Sequence, residues 1–244
     1  MIQASDITVL YCDFALLVIN KPAGLSTLPD GYNLTLPHVK SILEQEHGRL
    51  WIVHRLDKQT SGVLLLARSA QAHRSLNTQF EQHLTSKIYH ALVEGNPEWI
   101  EKTINLPLRP NGDRSHRTVV DHEKGKPALT HLKALKRFGN YSLLEAIPET
   151  GRTHQIRAHL SSESLVIFGD KLYGGRKHDN PSEIEAHAVD CLDLSKISME
   201  GMGLHARSLE IIHPNSGQRI KFEAAYPAWW ENALKLLRST SLFE

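Results

Sequence analysis

Short apolar runs separated by tight polar turns are the feature of this chain that most constrains its fold. ITVLYCDFALLVIN (7–20) and LHARSLEIIHPNSGQRIKF (204–222) each hold two such runs around a turn, a spacing typical of β-hairpins. Hairpin patterns outnumber helical ones along the sequence. We therefore predict an α+β fold, with a mixed and mostly antiparallel central sheet flanked by helices and loops.

Helices are predicted where apolar residues recur every three or four positions. The predicted helical segments are 36–45, the residues after Ser69 as N-cap with Leu76, Phe80 and Leu84 on one face, the residues after Thr153 as N-cap, and 228–237. Further strands are expected at 117–121, 128–136 and 141–147, and residues 174–200 read as polar and irregular. Because no repeat or linker interrupts the chain, we expect residues 1–244 to form a single domain.

The composition indicates the cellular compartment in which such a chain works. Its 244 residues are 41% hydrophobic and 23% charged, which is ordinary for a soluble globular protein. Cys12 and Cys191 lie far apart in sequence and match no metal or redox spacing. The N-terminal residues lack the pattern of a signal peptide, and no apolar run approaches the roughly 20 residues needed to cross a bilayer. We expect a cytoplasmic protein with no membrane partner.

The basic charge is concentrated in one stretch of the chain. The formal net charge is only +1, but residues 102–137 hold nine Lys and Arg against three Asp and Glu. A local basic face of this kind suits a polyphosphate partner such as RNA or DNA. An ordinary solvated surface would explain the same charge equally well.

Metal and nucleotide sites are not predicted. The 15 histidines are scattered, and the sequence contains neither HExxH nor CxxC. His154 and His159 are five apart, a spacing that does not place both on one helix face. The glycine-rich phosphate-binding motifs and the nucleophilic serine motifs are also missing, so we assign Ser61 to a turn and expect no cofactor.

One acid lies in a basic loop between two apolar strands. In WIVHRLDKQTSGVLLLAR (51–68), Asp57 has Arg55 and Lys58 as neighbours, which favours an ionised carboxylate. The flanking strands would hold the loop rigidly, as a catalytic group requires. The following Thr-Ser-Gly turn would let the backbone approach a ligand closely. For a generic loop, an Asp that caps a turn or pairs with Arg55 is the more common case.

Two further segments carry candidate binding residues. GRTHQIR holds Arg152 and Arg157, whose planar guanidinium groups suit phosphate or carboxylate recognition, although ordinary surface arginines would look the same. Tyr89 is either a core aromatic or a platform on which a base stacks. These residue types indicate an RNA-handling domain with one acid and do not name a reaction.

The motifs of the chain, taken in order, resemble the RluA-type pseudouridine synthases, which modify uridines in ribosomal and transfer RNA. HRLDKQTSG followed by VLLLAR resembles their catalytic loop. The other motifs that carry the resemblance are NKPAGL from residue 20, KIYHALVEG from 87, GKPALTHLKAL from 125, TGRTHQIRAHL from 150, FGDKLYGG from 168 and LHARSLEIIHP from 204. Together they span roughly residues 7 to 230.

The resemblance implies a role for each candidate residue. Asp57 matches the catalytic aspartate, Tyr89 the tyrosine that stacks on the uracil, and Arg157 the arginine that pairs with the aspartate. Arg55 matches an arginine that enters the RNA where the target uridine leaves. The residues expected to bind substrate are Arg55, His54, Ile156, Lys87 and Arg152.

The resemblance also implies an isomerisation that needs no metal and no other cofactor. The chain looks like the short members without an additional N-terminal RNA-binding domain, whose targets include both tRNA and large-subunit rRNA, so either RNA is an expected substrate. Members of this type usually work as monomers, and we expect a monomer here. A catalytically silent RNA-binding protein of the same fold is the alternative, although the presence of Asp57, Tyr89 and Arg157 argues against it. A nucleosidase that uses Asp57 would instead release free uracil.

Overall fold

The computed structural model describes residues 2–29, 31, 33, 35–174 and 201–240. These residues form two compact units, the first made of residues 1–89 and 204–226 and the second of residues 90–203 and 227–244. Strand β5 begins in the first unit and ends in the second. The expectation of a single domain over 1–244 stays a prediction.

The first unit is built on a four-strand core sheet in the order β1-β2-β4-β12, with β3 added to β4 and β13 added to β12. Its elements are β1 (Thr8–Cys12), β2 (Leu16–Lys21), α1 (Val39–His47), β3 (Trp51–Ile52), β4 (Ser61–Ala67), α2 (Ala70–Glu81), the start of β5 (Ser86–Glu94), β12 (Leu204–Ile212) and β13 (Arg219–Glu223). The pairings are antiparallel except for β4 with β12, which is parallel. All seven residues of β4 are buried, so apolar layers cover both of its faces.

The second unit pairs its long strands as β10-β9-β6, again antiparallel. Its elements are β6 (Glu101–Asn105), β7 (Leu108–Arg109), β8 (Val119–Val120), β9 (Leu129–Phe138), β10 (Tyr141–Pro148), α3 (Gln155–Ser162), β11 (Val166–Ile167) and α4 (Ala228–Thr240). Strands β7 and β8 form a separate two-stranded hairpin, the β7–β8 hairpin. The predicted α+β class with a largely antiparallel sheet is confirmed.

The structure has a helix at each of the four predicted positions, with different bounds. Ser69 caps α2, and its hydroxyl accepts the N–H of Ala72 at 3.1 Å. However, α2 ends at Glu81, so Leu84 lies beyond the helix. Helix α1 begins at Val39 rather than at 36, because the residue before Pro37 is disfavoured from helical geometry.

The N-terminus of α3 differs from the sequence prediction. The N-cap is His154, in left-handed geometry, instead of Thr153. The N-cap side chain forms no capping hydrogen bond to the first turn of the helix within the described residues; instead, Gln155 Oε1 accepts the N–H of Arg152, which lies before the helix, at 3.0 Å. The prediction for residues 174–200, like Cys191, lies outside the described residues except at Gly174.

Candidate active site

The loop that carries Asp57 is fixed at its centre by a buried threonine. The Thr27 hydroxyl donates to the carbonyl of Leu56 at 3.0 Å and accepts its N–H at 3.2 Å. Thr27 and Leu56 are both buried, while the side chain of Asp57 is half-buried and that of Arg55 is exposed. The residue preceding the acid therefore cannot shift without breaking two buried hydrogen bonds.

A buried lysine ties the same loop to the end of β2. Lys21 has no exposed surface, and its Nζ donates to the carbonyls of Pro22 and Leu25 at 2.8 Å and of Lys58 at 3.3 Å. Burial lowers the pKa of Lys21 to about 7, and the Asp57 carboxylate acts in the opposite direction. The Lys21 amine thus lies within the electrostatic influence of the acid.

His54 is turned into the protein. Its ring stacks on Phe80 with 5.0 Å between centroids, and Nε2 accepts the N–H of Leu65 at 3.0 Å. Burial, with a smaller effect from the charge of Lys87, lowers the pKa of His54 to about 3. The imidazole is neutral and holds the loop to β4, so its position does not support the predicted substrate contact.

The glycine of the Thr-Ser-Gly segment allows β4 and β12 to approach each other closely. Gly62 has a φ of +114°, and a Cβ at this position would lie 2.3 Å from the carbonyl oxygen of Ala206 in β12. β12 therefore occupies the space that a side chain at this position would need, and the prediction that the turn lets a ligand approach the backbone stays a prediction. Beside it, Ser61 Oγ and His205 Nδ1 form a buried hydrogen bond of 2.8 Å.

Tyr89 lies in β5 and packs against the core cluster that includes Leu56. Burial raises the pKa of its phenol, and the negative charge of Asp57 raises this pKa further. The phenol therefore stays protonated at neutral pH, within the field of the carboxylate. Lys87, two residues earlier, places its Nζ 5.9 Å from the centroid of the Phe80 ring, and burial lowers its pKa.

Arg157 lies in α3 of the second unit, where its guanidinium is almost fully buried. Its Nε and Nη2 donate to the two carboxylate oxygens of Asp170 at 2.7 and 2.8 Å. The guanidinium carbon also lies 5.0 Å from the centroid of the Tyr173 ring. The expected pairing of Arg157 with Asp57 stays a prediction.

Side-chain hydrogen bonds anchor α3 to β9. Gln155 Nε2 donates to the carbonyl of Leu129 and to Thr130 Oγ1, both at 2.9 Å, and His159 Nδ1 lies 2.8 Å from the same hydroxyl. Of the other residues predicted to bind substrate, Ile156 is buried. Arg152 is exposed, and its Nε donates to the carbonyl of Pro127 at 3.1 Å. The helix thus presents Arg157 from a rigid base.

Ion pairs reduce the free positive charge of the basic stretch. Four of its nine cations pair with carboxylates: Lys102 with Glu163, Arg109 with Asp121, Arg117 with Asp113 and Lys133 with Glu101. Arg114, Lys124 and Lys126 are exposed, and among the described residues no ion pair involves them. Arg114 lies in the loop of the β7–β8 hairpin, while Lys124 and Lys126 follow β8, and the three side chains give this region exposed positive charge.

Two other properties concern the described residues only. Within them, no three His, Cys, Asp or Glu side chains converge in a way that could hold a metal ion. A helix with the length and apolarity to cross a membrane is likewise not found in that part of the chain.

The comparisons identify the class of protein. The family model for RNA pseudouridylate synthase matches residues 15–162, more than half of the chain. The chain belongs to the RNA pseudouridylate synthase family. It is an isomerase that converts uridine in RNA to pseudouridine.

Individual relatives are similar over nearly the whole chain. Ribosomal large subunit pseudouridine synthase D of Zymomonas mobilis is 35% identical, covering 96% of this chain and 74% of the relative. The protein of the same name from Pseudomonas aeruginosa is 37% identical over 97% and 73%. Human RNA Pseudouridylate Synthase Domain Containing 4 shares the fold, with a TM-score of 0.73 and 24% identity over 95% of this chain and 93% of its own.

Several residues that hold the candidate residues in place within their own units were not singled out from the sequence. Lys21 had a signal, since a lysine that ends the apolar run LLVIN is unusual inside a protein. Thr27, Asp170 and Tyr173 had none, because each acts through a partner distant in sequence. Their roles depend on tertiary contacts.

Proposed function

We propose that the enzyme isomerises a uridine of a structured RNA with Asp57 as its catalytic carboxylate. The observation that carries this proposal is the loop itself: Thr27 and Lys21 fix the backbone on both sides of Asp57. Positioning of this kind removes much of the entropic cost of bringing the carboxylate to the reacting sugar. Tyr89, whose pKa responds to Asp57, supplies the aromatic surface next to the acid.

The chemistry rearranges bonds without changing the atoms of the nucleotide. The bond from uracil N1 to ribose C1′ breaks, the base rotates, and C5 bonds to C1′ in its place. The proton on C5 is lost and N1 gains one, so the balance needs no oxidant or other cofactor. Asp57 acts either as a nucleophile at C1′, released when C5 attacks, or as a base on the sugar.

The remaining candidates are assigned on the resemblance. Arg157 is the expected partner that keeps Asp57 ionised and oriented. Tyr89 stacks on the uracil after the nucleotide has left its helix, and Arg55 enters the vacated space. Among the residues predicted to bind substrate, the exposed position of Arg55 supports its role, whereas the inward position of His54 does not support one.

The proposed substrate is large-subunit ribosomal RNA, with transfer RNA as a second substrate to be tested. The relatives named ribosomal large subunit pseudouridine synthase D support the first. We accordingly propose that the enzyme works in the cytoplasm. Arg114, Lys124 and Lys126 are exposed positive side chains at or near the β7–β8 hairpin, and they suit contact with the phosphates of the RNA.

The test is to incubate the protein with ribosomal and transfer RNA transcripts and to map pseudouridine at single-nucleotide resolution. Wild type should modify defined positions, while Asp57→Asn should lower the rate by at least about 1000-fold, since it removes the reacting carboxylate. Glu46→Gln, which neutralises an exposed acid of the same unit, should retain full activity.

Three results would contradict the proposal. Persistent activity of Asp57→Asn would exclude Asp57 as the reacting group. Release of free uracil without pseudouridine would indicate a nucleosidase. RNA binding by wild type with no modified position in any cellular RNA would favour the silent RNA-binding alternative.

A further inference from the structure

Tyr173 occupies a junction within the second unit. Its hydroxyl accepts the N–H of Thr118 at 2.9 Å and donates to the carbonyl of the same residue at 2.9 Å. Thr118 directly precedes β8, so both hydrogen bonds attach the tyrosine to the β7–β8 hairpin. The Tyr173 ring is buried and packs with Leu108 of β7 and Ala158 of α3.

The same ring contacts the guanidinium groups of two arginines from different elements. Arg157 from α3 lies 5.0 Å from its centroid, and Arg117 from the hairpin lies 5.9 Å from it. A cation over an aromatic face is attracted by the electron density of the ring. A movement of the hairpin therefore reaches Tyr173 through Thr118 and Arg117, and reaches Arg157 through the ring.

Asp170 fixes the guanidinium that receives this movement. Its Oδ1 accepts the backbone N–H groups of Leu172 and Tyr173 at 3.1 and 3.3 Å, in addition to Nη2 of Arg157 at 2.8 Å. One carboxylate thus shapes the turn that positions Tyr173 and binds Arg157 through both oxygens. Asp170 and Tyr173 are consequently held as a single body with Arg157.

We propose that Tyr173 couples RNA binding at the β7–β8 hairpin to the position of the Arg157 side chain. Asp170 holds the guanidinium group of Arg157 against the Tyr173 ring. Tyr173 and Asp170 are positioning residues in this scheme. The inference rests on the proposed function, in which Arg157 serves Asp57 and the cations near the hairpin contact RNA. When RNA phosphates bind Arg114 and Lys124, they hold the hairpin in the position described here, and the Tyr173–Thr118 hydrogen bonds keep Arg157 in place with it.

The test separates RNA affinity from the rate of the chemical step. Tyr173→Phe keeps the ring against Arg157 and removes only the hydroxyl. We expect the Kd for RNA to stay within about two-fold of wild type while kcat falls about ten-fold, a coupling of ordinary size. Tyr11→Phe is the matched control, because it also removes a tyrosine hydroxyl, one that donates a hydrogen bond to Asp13 at 3.0 Å in the first unit. This variant should keep the wild-type kcat.

A double-mutant cycle tests transmission itself. Arg114→Ala combined with Lys124→Ala should lower both RNA affinity and kcat in the wild-type background. In the Tyr173→Phe background, the same pair should lower affinity only, because the link to Arg157 is already cut. The inference would be overturned if the Arg114→Ala and Lys124→Ala pair lowered kcat by the same factor in both backgrounds. A wild-type kcat for Tyr173→Phe would overturn it as well.

Asp170→Asn provides a second variant in case Tyr173→Phe does not fold. The Asn side-chain oxygen can still accept the two backbone N–H groups of the turn, while its amide opposes Nε of Arg157. A fall in kcat at unchanged Kd supports the inference, and an unchanged kcat overturns it. If Asp57→Asn is inactive while both second-unit variants are normal, the proposed function stands and only the transmission fails.

Discussion

At the residue scale, the loop that carries Asp57 depends on polar side chains inside the protein. Lys21 loses its water shell on burial, a cost that its three carbonyl acceptors offset. Because those carbonyls belong to Pro22, Leu25 and Lys58, the segment after β2 and the Asp57 loop are held as one body. The buried amine of Lys21 thus fixes the backbone next to Asp57.

The depressed pKa of His54 predicts a pH dependence of stability. The folded protein takes up a proton on His54 only near pH 3, whereas the unfolded chain does so near 6.5. Stability therefore falls as pH drops below 6.5, by up to about 2 kcal/mol at pH 5 from this group. Urea unfolding at pH 7.5 and pH 5 measures the difference.

Two variants isolate the contribution of His54. His54→Gln retains an acceptor for the Leu65 N–H and should show a smaller loss between the two pH values. His122→Gln, at an exposed histidine, should lose as much stability as wild type. Equal pH dependence in all three proteins would show that His54 is not the source.

At the element scale, the close approach of β4 and β12 depends on a single glycine. Gly62→Ala places a methyl group against the Ala206 backbone at a φ of +114°, so steric overlap adds to backbone strain. We expect a loss of at least about 2 kcal/mol in the free energy of unfolding. Chemical denaturation followed by circular dichroism measures it.

Gly139→Ala is the matched control for that substitution. Gly139 also has a positive φ, +52°, but a Cβ there would meet nothing within 4 Å. It should cost only the strain of left-handed geometry, roughly 1 kcal/mol. If both variants lose the same stability, the contact with Ala206 has no energetic effect.

Sequence reasoning succeeded where the signal is local. The apolar runs around Asp57 predicted two strands and the loop between them, and Ser69 predicted the start of α2. It failed where the cause is distant: the partner of Gly62 is Ala206, and the role of Thr27 depends on Leu56. The Thr153 prediction failed for a related reason, because the start of α3 is fixed by the hydrogen bonds of Gln155 to β9 and to Arg152 rather than by a capping hydroxyl.

At the scale of the whole molecule, charge is nearly balanced but unevenly distributed. The net charge of +1 gives little general attraction for RNA. Four of the nine Lys and Arg side chains between residues 102 and 137 form ion pairs with carboxylates. Attraction for phosphate is consequently expected to be local and to depend on a few exposed side chains near the β7–β8 hairpin.

The salt dependence of RNA binding tests this distribution. Replacing Arg114, Lys124 and Lys126 by alanine should reduce the slope of log Kd against log salt concentration by about 2 for single-stranded contacts. Filter binding at several salt concentrations measures the slope. Replacing Lys221, Lys235 and Arg238 by alanine changes the net charge equally, and an equal change in slope would show that general charge is responsible.

The bond between Ser61 and His205 joins residues 144 positions apart in the chain. During synthesis on a ribosome, β4 and the Asp57 loop emerge long before β12 exists to pair with Ser61 and Gly62. Long-range pairing of this kind also folds slowly once both partners are present. In the nascent protein, the Asp57 loop therefore emerges early, but β4 cannot pair with β12 until more than 200 residues have been made.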